Sequence, residues 1–448
     1  MHGYTKNQPA RLTRLLLAFL FCASIAGLGY GVDRTQFLLL LLGYVPAFMV
    51  YAWLVWRQPA DWRFYVGVAV VARVLLFFAV PQLSDDVYRF IWDGRLWAAG
   101  VNPFAATPTT YAEADFPVAG LTPELYALLN SPDYFTIYPP LPQLTFWLSA
   151  VISPSGLWGS MLVQRVFLLA AELGTIWLLP KMLRAWELPA ARTLIYAANP
   201  LLILEITGNL HHEGLMIFFL ALALYGLRQK KWVGGAAAYA AAVASKLLPL
   251  MFLPLLWRRI GSKRGLFFYL LGGVFLVVLF APLYDADFVR GFGASLDLYF
   301  RRFEFNGSIY YLLRWIGYQE KGYNLIQQIG PWLARVVAMG ILLWSALERR
   351  PVWSNVFPVL LAVICGYLFL ATTVHPWYLA LPLFFCGFTR YRFPVLWSAL
   401  IFGTYLNYSY PEYRENLWVV GVEYMLVFAM LSYEWWVYKI RPTLFGSA

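Results

Sequence analysis

Apolar runs close to the roughly 20 residues that a helix needs to cross a bilayer recur from one end of this 448-residue chain to the other. That repetition limits the fold more than any single motif, because such runs must be buried in lipid. Composition agrees: 13% of residues are charged and mean hydropathy is +0.61, whereas soluble domains carry about 25% charged residues. The expected class is an all-α polytopic membrane protein. The net charge of +11 fits Lys and Arg kept in cytoplasmic loops and against anionic headgroups, and implies no nucleic-acid partner. Cys22, Cys365 and Cys386 all fall inside apolar runs without metal-like spacing, so neither disulfides nor a zinc site are expected.

Hydropathy and the positive-inside rule together predict twelve to fourteen membrane or re-entrant segments. Lys6, Arg11 and Arg14 precede the first run, which ends near Gly31 without a small-x-small cleavage site and therefore reads as a retained span. Residues 36–56 return to Arg57 and Arg63, and residues 64–80 lead out again. Residues 142–153 are too short to cross and read as re-entrant. Residues 232–257 lie between two basic clusters and predict a bent pair of short helices with Lys246 and Pro249 at the bend. The parse is one integral domain over 1–448: N-terminal spans 1–80, an outer loop 81–140, core spans 141–282, a second outer loop 283–330 and C-terminal spans 331–448. Both termini are expected in the cytoplasm of a cell (inner) membrane protein. Two or three short helices along the membrane surface are expected in the first outer loop, which Asn102-Pro103, Pro108 and Pro117 break.

Within that loop, Ser84–Phe104 turns acidic, basic and aromatic together, setting Asp85, Asp86 and Asp93 beside Arg89 and Arg95. Adjacent carboxylates repel, so one holds a proton more readily, and such a group can act as general base toward a hydroxyl. The competing reading is a solvated cap on the helix that begins near Val87. His211-His212-Glu213 sits at an outer turn, where histidines bind phosphate when charged or simply lie at the interface; three consecutive residues do not easily face one metal. Ionisable residues inside spans are functional candidates by default, here Arg73, Arg165, Glu172, Glu205, Lys246 and Arg335. Lys246 could meet a phosphate or snorkel to the interface. Arg301, Arg302, Glu304 and Asn306 are either a headgroup site or plain loop charge, and His375 opens an aromatic span start at the outer face. No P-loop, Rossmann fingerprint, nucleophile elbow or zincin motif is present, so soluble nucleotide substrates are unsupported.

Four pieces, SDDVYRFIWDGRLWAAGVNPF, YPPLPQ from Tyr138, NLHHEGLM from Asn209 and VHPWYL from Val374, together resemble the GT-C superfamily of integral-membrane glycosyltransferases. Within it the chain is similar to bacterial mannosyltransferase-type members that use polyprenyl-phosphate sugars. The resemblance covers about 80–380 and implies GT-C-type architecture with amphipathic helices in the first outer loop. It places the catalytic base at Asp85 or Asp86, an alternative the sequence leaves open. Where the superfamily often has His-Asn-Asp, this chain has His211-His212-Glu213.

The resemblance further implies an inverting single displacement: a hexose, mannose favoured, passes from a polyprenyl-phosphate donor to a hydroxyl on a glycan, lipid or protein acceptor at the extracytoplasmic face. Arg89, Asp93, Arg95, Tyr138, His211, His212, Glu213, Lys246, Arg301, Arg302 and His375 are the candidates for binding donor or substrate. Cations among them would stabilise charge developing on the lipid phosphate. No cofactor is required; a divalent cation held by the aspartates is compatible with the motif, but no metal ligand is assigned. The alternative class is a transporter or flippase for a lipid-linked sugar, which intramembrane charges would also suit.

Overall fold

The structure is a computed structural model that describes residues 10–440; Lys6 and Arg441, two of the expected cytoplasmic markers, lie outside the described residues. Among the described residues every regular element is helical, apart from an isolated bridge between Phe305 and Thr373. Among the described residues seven helices are long and apolar enough to cross a membrane: Arg11–Gly31, Phe37–Arg57, Leu157–Ala185, Ser262–Leu283, Ile326–Leu347, Trp353–Leu370 and Leu417–Ile440. Pro200–Gly208 and Glu213–Arg228 together would make an eighth, and Pro140–Ile152, Trp232–Ser245 and Pro376–Cys386 are shorter apolar helices. Trp62–Leu75, and Phe393–Leu400 running into the 3-10 helix Ile401–Tyr408, coincide with two further expected segments but are not among the helices long and apolar enough to cross. The chain is thus an all-α, multi-pass membrane protein.

The short segments behave as their residues require. Pro140–Ile152 has 13 residues, about 20 Å at 1.5 Å per residue, well short of a hydrocarbon core of about 30 Å. The predicted bend near Lys246 is present: Trp232–Ser245 stops at an extended Lys246, a 3-10 turn spans Leu248–Phe252, and Leu253–Ile260 follows. Pro249 cannot donate a backbone hydrogen bond, which suits the break.

The chain groups into two compact units, each discontinuous in sequence. The first takes residues 1–83, 172–209 and 375–448. Its interior holds an ion pair with both side chains fully buried, Arg73 Nη2 to Glu172 Oε2 at 2.9 Å. Tyr196 donates to the other Glu172 oxygen at 2.5 Å, and Arg73 Nη1 donates to the carbonyls of Ala69 and Ala197. Residues Ile203–Gly208 form a π-turn that carries the buried Glu205. Tyr405 and Asn209 donate to Glu205, and the Asn209 Oδ1 accepts the backbone N–H groups of Gln82 and Leu83.

The second unit takes residues 84–171 and 210–374. Three short helices, Asp86–Ala98, Pro108–Glu113 and Pro123–Ala127, occupy the expected outer loop. The first is not a surface helix: Val87, Phe90, Ile91, Trp92 and Leu96 are all buried, in a core with Phe146, Met161 and Leu168. Phe90 stacks on Phe146 with centroids 4.7 Å apart. Fully burying each such side chain is worth about 1.5–3 kcal/mol, which explains why so charged a helix packs inside.

Gly94 permits that packing. A Cβ there would lie 2.2 Å from the Phe146 carbonyl oxygen, and no rotation of a side chain could relieve the contact. Gly94→Ala is expected to cost about 1–3 kcal/mol or more through overpacking, seen as a lower thermal midpoint in detergent. Gly67→Ala, with nothing within 4 Å of the new methyl, is the control and should be neutral or slightly stabilising.

Candidate active site

The site is built on the start of the Asp86–Ala98 helix. Ser84 Oγ accepts the Asp86 N–H at 3.3 Å, while Asp85, at the N-cap position, makes no side-chain cap hydrogen bond. Asp86 is therefore in the first turn, and its carboxylate, 22% exposed, lines a solvent-open cavity of about 110 Å³. Asp85 does not line it. Asn130 Nδ2 donates to Asp86 Oδ1 at 2.8 Å, and the Tyr138 hydroxyl donates to Oδ2 at 3.3 Å. Burial, and then the Asp86 carboxylate, push the Tyr138 hydroxyl well above its ordinary pKa, so it remains a donor. His211 Nε2 lies 3.8 Å from Oδ2, an ion pair when the imidazole is charged.

Each neighbour is delivered by a local device. Tyr138 directly precedes Pro139 and Pro140, which cap and start the Pro140–Ile152 helix. His211 follows Leu210, whose φ of 65° puts a bulky residue in the left-handed region. Backbone strain of this kind gathers at functional sites.

His212 takes a different role from His211. Thr145 Oγ1 spends its proton on the Pro142 carbonyl at 2.8 Å, so His212 Nε2 must donate to Thr145, at 3.1 Å. Phe90 and Phe146 meet the imidazole edge to face. In this turn between two helices burial, then the charges of His211 and Lys246, lower the His212 pKa to about 3. Burial thus favours the neutral imidazole at His212, whose contacts are to Thr145 and the two phenyl rings rather than to Asp86.

Arg89 and Asp93 are brought together one helical turn apart, Nε to Oδ1 at 2.8 Å, with Asp93 fully buried. Gln143 donates to the second Asp93 oxygen at 3.0 Å. Arg89 lines the cavity, and its Nη1 donates to the carbonyls of Tyr134 at 2.8 Å and Ser131 at 3.4 Å. Arg95 is elsewhere: it donates to the carbonyls of Gly120 at 2.6 Å and Ser155 at 3.3 Å, and burial lowers its pKa. Glu213 begins the Glu213–Arg228 helix and pairs with Lys246, so the lysine meets a carboxylate.

Arg301 and Arg302 end the Ala286–Arg301 helix in exposed positions, and Arg301 pairs with Asp297 at 2.6 Å. From the same helix Ser295 lines the cavity and donates to the carbonyls of Phe135 and Thr136. Glu304 accepts from Arg314, Asn324 and Tyr310, and Phe303 lines the cavity. His375 belongs to the first unit, where it stacks on Trp377 with centroids 4.5 Å apart. Among the described residues no three His, Cys, Asp or Glu side chains gather into a metal-binding group.

Sequence reasoning did not single out Asn130, Gln143, Thr145 or Ser295. Asn130 lies in Asn-Ser-Pro-Asp, which reads as ordinary turn chemistry. The signal that finds it is its distance to Asp86, which exists only in the folded chain.

Together these groups give one carboxylate at a cavity wall, oriented by two donors and approached by an imidazole. The N-terminal domain of alpha-(1→6)-mannopyranosyltransferases matches residues 23–259, more than half of the chain. Alpha-(1→6)-mannopyranosyltransferase A of Corynebacterium glutamicum is 26% identical over 185 residues, 40% of this chain and 36% of that protein. Alpha-(1→6)-mannopyranosyltransferase B of the same organism is 23% identical over 211 residues, 44% and 34%. Alpha-(1→6)-mannopyranosyltransferase A of Mycobacterium tuberculosis is 23% identical over 195 residues, 42% and 36%. The match spans about a third of the length of these curated relatives. A matched region that takes in Asp86, Tyr138, His211 and Lys246 places this chain in the alpha-(1→6)-mannopyranosyltransferase family.

Proposed function

We propose that this protein is a GT-C-type mannosyltransferase that moves mannose from a polyprenyl phosphate to a hydroxyl of a glycan acceptor at the extracytoplasmic face. The relatives' names support α-(1→6) linkage as the bond formed. Asp86 Oδ2 takes the proton of the acceptor hydroxyl; the oxygen attacks the anomeric carbon as its bond to phosphate breaks, with inversion, and polyprenyl phosphate departs. The phosphate is already a weak base, so no strong general acid is required. His211, when charged, and Lys246 and Arg89 are the cations available to the leaving group and the donor.

The observation that carries this reading is the Asp86 carboxylate itself: its side chain is 22% exposed and lines an open cavity beside Arg89, Asn130 and Tyr138. A general base must come within hydrogen-bond reach of the proton it removes, and Asp86, unlike Asp85, faces a space where an acceptor can enter. The test is transfer of radiolabelled mannose by the purified protein in lipid nanodiscs. A panel of polyprenyl-phosphate sugars and nucleotide sugars would be offered with short mannan acceptors. Label passing from polyprenyl-phosphate mannose into the glycan is the expected result. Movement of an unmodified lipid-linked sugar across the bilayer, without a new glycosidic bond, would replace this reading with a flippase.

A further inference from the structure

The base and the loop facing it are joined by a directed chain of hydrogen bonds. Ser131 Oγ donates to Asn130 Oδ1 at 2.9 Å, which leaves the amide nitrogen as the end turned to Asp86 Oδ1, 2.8 Å away. The orientation of this amide is thus set by its own network. The loop that carries it is pinned at several places. Arg89 donates to the carbonyls of Ser131 and Tyr134, and the guanidinium is in turn held by buried Asp93 and, through it, Gln143. On the other side Thr109 N–H donates to the Pro132 carbonyl and its hydroxyl to Asp133 Oδ1 at 2.6 Å. A side chain at an exposed turn would ordinarily sample many rotamers, yet everything around Asn130 is arranged to keep it in one place.

We infer that Asn130 is the positioning residue of the catalytic base. Its amide, locked by Ser131 and by the Arg89–Asp93 clamp, holds the Asp86 carboxylate in one rotamer with Oδ2 turned to the acceptor. The chemistry supports two effects. A neutral donor aimed at Oδ1 satisfies that oxygen and fixes which of the two carboxylate oxygens faces the loop. A fixed rotamer also removes the entropy of finding the reactive geometry. Arg89 and Asp93 then act on catalysis through the loop, without the donor having to touch Asp93.

This inference rests on Asp86 being the base, so the experiment separates the two. Mannose transfer is measured against pH for the parent protein, Asp86→Asn, Asn130→Ala and Asn130→Asp in nanodiscs, with monodispersity as the folding control. Asn130→Ala is expected to lower kcat roughly ten- to a hundredfold, the range for a hydrogen bond to a charged group, with the donor KM within about twofold. Asn130→Asp is nearly isosteric and preserves the fold, but replaces the donor by a second carboxylate facing Asp86; its kcat should fall at least as far as that of Asn130→Ala. If Asp86→Asn is inactive while both Asn130 variants keep the parental kcat, the positioning role is overturned and the base assignment stands. If Asp86→Asn retains full activity, the base assignment fails first and this inference falls with it.

Discussion

Asp86→Asn should lower kcat for mannose transfer by roughly a hundred- to ten-thousandfold, the range associated with removing a positioned general base. Asparagine keeps the size of the side chain and can still bond Asn130 and Tyr138 after an amide flip, so the donor KM should change little. Asp85→Asn, by contrast, alters a carboxylate that does not line the cavity and should stay within about threefold of parental activity, as for substitutions away from a site. The two neighbours therefore differ by at least one order of magnitude in a single assay of radiolabelled transfer. Equal activities for the two variants would contradict the assignment, and a dead Asp85→Asn with an active Asp86→Asn would reverse it.

The second large effect concerns stability. Arg73 and Glu172 are both fully buried, and removing one partner of a buried pair costs about 3–5 kcal/mol because the other charge stays behind uncompensated. That is a large share of the roughly 5–15 kcal/mol by which domains are stable. Arg73→Ala and Glu172→Ala should each yield little folded protein and a clearly lower melting midpoint by size exclusion in detergent after heating. Arg73→Met combined with Glu172→Met should recover much of that loss, since an apolar pair of similar volume leaves no orphan charge. Tyr196→Phe removes only the hydroxyl that donates to Glu172 and should cost less than either single charge removal. Single variants that melt with the parent would show that the pair contributes nothing. This buried pair was visible in the sequence as ionisable residues within spans, but its partners were not: Glu172 shares a helix face with Arg165, seven residues before it, yet it bonds Arg73, 99 residues away.

The same difference runs through the site. The charged stretch from Ser84, the Tyr138 motif, the histidine turn and Lys246 were each legible because residue types so costly in an apolar chain stand out against it. Their geometry was not. Two adjacent aspartates are equivalent to a pattern reader, and only the helix start at Asp86 separates them: Asp85 ends up before the first turn, Asp86 inside it. Likewise His211 and His212 look interchangeable in sequence. They sit between the left-handed Leu210 and the helix start at Glu213, where one imidazole meets Asp86 and its neighbour meets Thr145 between two phenyl rings.

By itself, then, the sequence determined the class: apolar runs near bilayer length dictate an all-α membrane protein, and the basic and proline positions dictate where segments stop or bend, as at Lys246. These are local properties, settled by hydropathy and by what each backbone can adopt. Only the tertiary structure decided which carboxylate faces the cavity, which histidine meets Asp86, that Arg89 and Asp93 clamp a loop, and that Asn130 bonds Asp86. Each of those depends on residues tens of positions apart being packed together. Packing is governed by the fit of whole helices, such as the close approach at Gly94, and a string of residue types does not contain it.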